Sequence, residues 1–211
     1  MIVIPGDYVG KGEIENTYGI GEHRYSKFIS LRKTNNRVKI TRFESFYIPK
    51  LNDVIIGKVI DVLPNGWVID INSPYLGFLL VKDTNIGENM DLNDLYTYED
   101  FLLCKIYKIS KNKIINLTVK EEGLGKLEKG VIISVNPVRL PRVIGKKGSM
   151  LNILKEMLKV NIIIGNNGRV FISGDKLNVL RTISVIEYII KNSYKKGLTE
   201  KVKEMIEKGR A

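Results

Sequence analysis

The segment Leu140-Pro141-Arg142-Val143-Ile144-Gly145-Lys146-Lys147-Gly148-Ser149 carries the clearest chemistry in the chain. Two glycines flank two lysines ahead of an amphipathic run. Glycine has no Cβ, so a polynucleotide backbone can approach such a turn closely. The free amides and the dipole of a helix N-terminus favour phosphate. Lys146 and Lys147 add mobile cations for backbone contacts, and Arg139 and Arg142 upstream are further candidates. Val143 and Ile144 offer an apolar floor for bases. This is chemistry for holding a polyanion rather than for breaking a bond. A lone G-x-x-G also fits any strand-to-helix turn, so the surrounding elements decide its meaning.

Bond-breaking constellations are hard to assemble from the other residues. Cys104 is the single cysteine and lies in the apolar run Phe101-Leu102-Leu103-Cys104. It reads as a small buried hydrophobe, with no His or Asn partner to make it a nucleophile. His23 is the only histidine, which leaves no His-based metal site or general base. Asp91, Asp94, Glu99 and Asp100 form the one dense acid run, but their mixed spacing with Leu, Asn and Tyr reads as a solvated loop. The expectation is a binding protein without enzymatic activity, cofactor or metal.

Charge points to the same partner. The chain carries a formal +11, and residues 129–211 alone hold 17 Lys/Arg against 6 Asp/Glu, a surplus equal to that total. Residues 51–128 hold 8 against 12. A phosphate-binding surface is therefore expected in the last third, although surplus lysine can also simply solvate helices. No apolar run reaches membrane-spanning length. The start, Met1-Ile2-Val3-Ile4-Pro5-Gly6-Asp7, has no basic stretch and meets an acid at once, so no signal peptide is expected and a cytoplasmic location follows.

Three segments must position these residues. In 1–50, Ile2-Val3-Ile4 and Arg37-Val38-Lys39-Ile40 read as short strands, with Asn35-Asn36 as a turn. So small a β unit has little core of its own and is expected to pack on a neighbour. In 51–128, strands at Asp53–Val62, Trp67–Ile71, Gly77–Val81, Leu102–Ile109 and Ile114–Val119 suggest a five-stranded barrel of the oligonucleotide-binding type. In 129–211 the period changes. A strand at Val131–Val135 precedes a helix capped by Ser149 with Met150, Ile153, Leu154, Met157 and Leu158 inward. A hairpin around Gly165-Asn166-Asn167-Gly168 follows. Asp175 then caps a long helix with Leu177, Leu180, Ile183, Ile186 and Ile190 inward, and Thr199 starts a basic tail helix.

The order in 129–211 resembles a KH domain of the β-α-α-β-β-α type, whose G-x-x-G loop and opposite variable loop clamp about four single-stranded nucleotides. The resemblance makes Gly165–Gly168 the variable loop and adds Arg169 to the candidate contacts. The middle unit resembles an S1 domain in Asp53-Val54-Ile55-Ile56-Gly57, Gly66-Trp67-Val68-Ile69-Asp70-Ile71 and Gly77-Phe78-Leu79-Leu80. Typical S1 domains stack bases on aromatics and a His where this chain has Asn65, Val68 and Leu80. Trp67 shares parity with Ile69 and Ile71, which suits core or domain interface better than a stacking platform. Lys58, Tyr75, Lys82, Lys111 and Lys113 are the remaining candidate RNA contacts of the barrel, with a solvated-surface reading beside them.

A β-rich start, then S1, then KH is the layout of the S1/KH cap subunit of the archaeal exosome. Val3-Ile4-Pro5-Gly6-Asp7, Tyr47-Ile48-Pro49 and Ile71-Asn72-Ser73-Pro74-Tyr75 also resemble it. A departure is Asn52, where Gly-Asp is usual before the first S1 strand. The resemblance implies three copies on a hexameric ring of nuclease-type subunits. They would capture single-stranded RNA, favour A-rich tails and feed the pore. The alternative is a free-standing translation or RNA-chaperone factor built from the same modules.

Overall fold

The computed structural model describes residues 1–35, 37–42, 45–85, 95–195 and 197–209. The chain divides into two compact units, Met1–Ser45 and Phe46–Ala211. The division falls five residues before the expected boundary at 50, because Tyr47 belongs to the barrel. It is 6% exposed in the barrel core and donates its hydroxyl to Asp53 at 2.6 Å.

Among the described residues the first unit holds six strands. β1 (Ile2–Val3), β5 (Ser30–Asn35) and β6 (Arg37–Arg42) form one antiparallel sheet in the order β1-β5-β6. β2 (Tyr8–Lys11), β3 (Thr17–Ile20) and β4 (His23–Ser26) form a second in the order β2-β4-β3. Among the described residues Val3 and Val9 are the fully buried hydrophobics here, with Ile14 and Val38 packed against them. Tyr8 and Tyr18 remain 46% and 40% exposed. Asn36 and Phe43 lie outside the described residues.

The second unit begins with the barrel. Its strands are β7 (Val54–Leu63), β8 (Gly66–Asp70), β9 (Leu76–Leu80), β10 (Phe101–Ile109) and β11 (Ile115–Thr118). Antiparallel pairs β7–β8, β8–β9, β7–β10 and β10–β11 are closed by a parallel β9–β11 pair. A short β12 (Gly125–Lys126) pairs with β10 on the way out. Inward residues alternate along each strand, and Ile55, Val59, Trp67, Ile69, Leu79, Leu102, Cys104, Ile106, Ile115 and Leu117 fill the interior. Trp67 is 1% exposed and donates its indole N–H to the Tyr96 carbonyl at 2.9 Å, which settles it as core. Asn52 takes φ 66°, a conformation Asn tolerates in place of Gly, and its N–H reaches the Ile106 carbonyl at 2.8 Å.

The KH part follows as β13 (Val131–Ser134), α1 (Leu140–Ile144), α2 (Ser149–Leu158), β14 (Asn161–Ile164), β15 (Arg169–Ser173) and α3 (Lys176–Lys191). A further helix, α4 (Leu198–Glu207), packs on α2 and α3. The antiparallel sheet runs β13-β15-β14, and the helices cover one of its faces through Leu140, Val143, Leu154, Ile162, Val170, Ile172, Val185 and Ile189.

Three details depart from the sequence reading. The N-cap of α2 is the left-handed Gly148, and Ser149 is already helical. In α3 the buried stripe is Val179, Thr182, Val185, Ile186 and Ile189, while Leu177 and Leu180 are more than half exposed. The stripe therefore sits one position around the helix from the one the leucines suggest. The tail helix starts at Leu198 rather than Thr199, with Gly197 as its cap. Asp175 does cap α3, accepting from the Leu177 N–H at 3.0 Å.

Candidate nucleic-acid interface

The loop that joins α1 to α2 is built for close approach. Gly145 adopts φ 77° and Gly148 φ 81°, both left-handed. A Cβ on Gly145 would sit 2.6 Å from the Met150 nitrogen, so only glycine fits there. Between them Lys147 also takes a left-handed φ of 54°. A non-glycine residue in that region stores local strain, which concentrates at functional loops. The result is an exposed turn presenting Lys146 and Lys147 to solvent, with Arg142 exposed on α1 and Ile144 half-buried behind it. Lys146, Lys147 and Arg142 have no ion-pair partner among the described residues. A cleft of about 250 Å³ runs beside the loop, between Arg142, Lys146 and Ser149 and the first turn of α4 at Thr199 and Glu200. Arg139 stands one turn earlier, half-buried, with its guanidinium donating to the Ser193 hydroxyl.

The opposite loop is already occupied. Gly165, Asn167 and Gly168 are buried against the barrel, and Asn166 of the turn stays exposed at its edge. Asn167 is fully buried; its carboxamide accepts from the Ile56 N–H at 3.2 Å and donates to the carbonyls of Ile56 at 2.8 Å and Ile71 at 2.9 Å. Its own carbonyl accepts from the Asn72 side chain at 2.8 Å. Asn166 donates its backbone N–H to Val54 and its side chain to Asp53, each at 2.8 Å.

Arg169 must be corrected as a candidate RNA contact. It is 8% exposed, ion-paired with Asp70, and donates to the carbonyls of Asp70 at 2.7 Å and Ile56 at 3.2 Å. Three of its five N–H donors are engaged in these bonds, and burial in the seam keeps the guanidinium from phosphate in solvent. Beneath these polar contacts, Phe171, Ile132 and Ile163 of the KH sheet pack on Ile56, Leu103, Val54 and Phe101 of the barrel. The second face of the sheet is thereby covered.

The barrel candidates are scattered. Lys58 lies beside this seam, bonded to Glu99 at 2.8 Å, with its ammonium 5.9 Å from the Phe101 ring centre. The pair lies at the surface, with the Lys58 side chain 29% and that of Glu99 63% exposed. Tyr75 packs against the barrel core, and its hydroxyl accepts from Lys113 at 2.7 Å. Because β9 and β11 run parallel, Tyr75 and Lys113 enter at one barrel end, with Lys111 beside them, and Lys82 leaves β9 at the other. Lys82, Lys111 and Lys113 are exposed.

Of the acid run, Asp91 and Asp94 lie outside the described residues. Glu99 is held by Lys58, and Asp100 by Lys126 at 2.8 Å. Burial raises the Asp100 pKa, but the bonds from Lys126 and the Thr97 N–H outweigh it and hold the carboxyl below its ordinary value. Burial alone pushes the Cys104 thiol up to about 12.

The seam residues Asp53, Asp70, Asn72, Asn166 and Asn167 were not singled out from sequence. The available signal was two asparagines inside a hairpin turn, more than such a turn needs.

A KH-domain family model matches residues 130–178. The exosome complex component Rrp4 of Thermoplasma acidophilum is 38% identical over 212 residues, covering 97% of this chain and 89% of that protein. Its counterpart in Pyrococcus abyssi is 34% identical over 217 residues, covering 97% and 82% respectively. A crystal structure of a proposed exosome complex RNA-binding protein superposes with a TM-score of 0.73 at 33% identity, covering 79% of this chain and 98% of that one. With identity at this level running from the first strands through the G-x-x-G loop, the chain belongs to the Rrp4 family of exosome complex components.

Proposed function

We propose that this chain is a non-catalytic, RNA-binding subunit of an exosome-type RNA degradation complex. It captures single-stranded RNA, with A-rich tails favoured, and passes it to the central pore of a hexameric ring of nuclease-type subunits that carries three copies. It works in the cytoplasm. The observation that carries the reading is the exposed Gly145–Gly148 turn, with free cations at Arg142, Lys146 and Lys147, in a chain that matches Rrp4 proteins over nearly its whole length. Arg139 and Ile144 complete the KH contact set, and Lys82, Lys111 and Lys113 extend it over the barrel. The buried variable loop shapes this reading, because the barrel wall stands where a second KH jaw would close. RNA is therefore held from the G-x-x-G side.

Ring docking belongs to the small first unit, on whose surface Tyr8, Tyr18 and Ile20 are exposed. Phe46–Ala211 is a compact unit, so it can be prepared without residues 1–45. Size-exclusion chromatography of each form with ring subunits tests the assignment. The full chain should co-elute with the ring and the shortened chain should not, while both retain single-stranded RNA. Co-elution of the shortened chain would place docking elsewhere. Failure of the full chain to join any ring would favour a free-standing RNA-binding factor.

A further inference from the structure

We propose that Phe78 is a base-stacking surface for single-stranded RNA on the outer wall of the barrel. The inference rests on the RNA-binding reading above and adds a contact residue to it. Strand alternation sends Gly77 and Leu79 inward, so Leu76, Phe78 and Leu80 face outward on β9. On β8, Val68 faces outward between the buried Trp67 and Ile69. Phe78 is thus the one aromatic that β8 and β9 turn away from the core. Its ring is half-buried and joins neither the barrel core nor the seam with the KH sheet.

Its neighbours suit a base. Val68 is its cross-strand partner and at 9% exposure forms a closed apolar backing. Asn116 lies beside it on β11, and its side-chain amide makes no hydrogen bond among the described residues. Lys111 and Lys113 stand where β11 begins and Lys82 where β9 ends, so cations flank the strip on both ends. Asp61, opposite Val68 on β7, is an exposed carboxylate on the far side and confines a phosphate path to the β9–β11 side. A half-buried ring, held against an apolar backing with its outer part open and lysines at both ends, is an arrangement on which bases stack while the backbone follows the charges. Barrels of this type present oligonucleotides to this wall and its bordering loops. The positions that commonly supply rings are Asn65, Val68 and Leu80 here, and Phe78 sits across from one and two residues from another. The aromatic has moved along the wall rather than vanished from it.

The test is fluorescence anisotropy of a labelled single-stranded oligoadenylate with the full chain and three variants. Phe78→Leu keeps an apolar side chain and should lower affinity about 5- to 100-fold. Phe78→Tyr keeps the ring and should stay within about twofold of the natural chain. A residue that serves packing alone would tolerate leucine as well as tyrosine. If Phe78→Leu binds like the natural chain while Gly148→Asp loses binding, the stacking assignment falls and the KH reading stands. If the natural chain binds no RNA, both fall.

Discussion

Asn167 acts as a surrogate backbone for Ile56. One carboxamide accepts from the Ile56 N–H at 3.2 Å and returns a bond to the Ile56 carbonyl at 2.8 Å, across 111 residues of sequence. Without it the Ile56 N–H would be stranded where the KH sheet covers the barrel, and the carbonyl would keep only the Arg169 bond at 3.2 Å. Asn167 therefore joins two modules that each resemble an independent domain.

Replacing Asn167 by Ala should cost about 2–4 kcal/mol, because the Ile56 N–H and the Ile71 carbonyl lose their partner in a buried seam. Asn167→Asp should be as damaging, since a carboxylate cannot donate to either carbonyl. Urea titration followed by far-UV circular dichroism reads the change. A midpoint equal to that of the natural chain in both variants would mean the seam is held by its apolar contacts alone.

Gly148→Asp should weaken RNA binding at least tenfold without unfolding the protein. The nearest atom to a Cβ there is Asn152 Oδ1 at 3.9 Å, so a side chain has room, and Asp tolerates a φ of 81° better than most residues. The new carboxylate would face the phosphate. Gly145 would not serve, because its Cβ would strike the Met150 nitrogen at 2.6 Å. Replacing Lys146 or Lys147 by Gln should instead reduce the slope of log affinity against log salt by about 0.7 per lost contact. An unaltered slope would remove that lysine from the interface.

Acid stability should depend on Asp100. Its folded pKa lies below its unfolded value, so its stabilising contribution is present at neutral pH. That contribution is lost as pH falls through the folded value, below about 4. Asp100→Asn should be less stable than the natural chain at pH 7, and the difference should shrink as pH falls through the acid range. Denaturant midpoints across that range measure it; parallel curves would assign the pH dependence to other carboxylates.

Cys104 should resist a disulfide-exchange reagent in the folded protein and react at once in denaturant. Its thiol is fully buried with its pKa pushed up to about 12, leaving almost no thiolate near pH 8. Labelling kinetics would then report opening of the barrel. Rapid labelling without denaturant would show that the interior breathes.

Much of this was legible from the residues. Alternation located the five barrel strands, the parity of Trp67 placed it inside, and Asp175 announced the start of α3. The G-x-x-G turn was readable because glycine and lysine advertise backbone approach and charge locally. Arg169 was misread for the opposite reason. A basic residue beside a turn looks like a phosphate contact, and nothing near it in sequence reveals Asp70 lying 99 residues away. The α3 stripe was misplaced because Leu177 and Leu180 are large and apolar, whereas the inward set includes a threonine whose hydroxyl bonds the Asn178 carbonyl at 2.7 Å. Phe78 illustrates a third case. Parity alone turns it outward, but its meaning depends on Val68 and Asn116 from two other strands.

The covering of the barrel by the KH sheet also sets a schedule for the growing chain. Ile56 and Leu103 leave the ribosome long before Phe171, and Ile56 must wait for Asn167, 111 residues later. The barrel is complete once β11 ends at Thr118, so at ordinary elongation rates it carries an open apolar flank for roughly 2–10 seconds before Asn167 arrives. A nascent chain stalled after residue 128 would display that flank indefinitely. Premature termination in the KH segment should thus yield a sticky, chaperone-bound barrel rather than a soluble fragment.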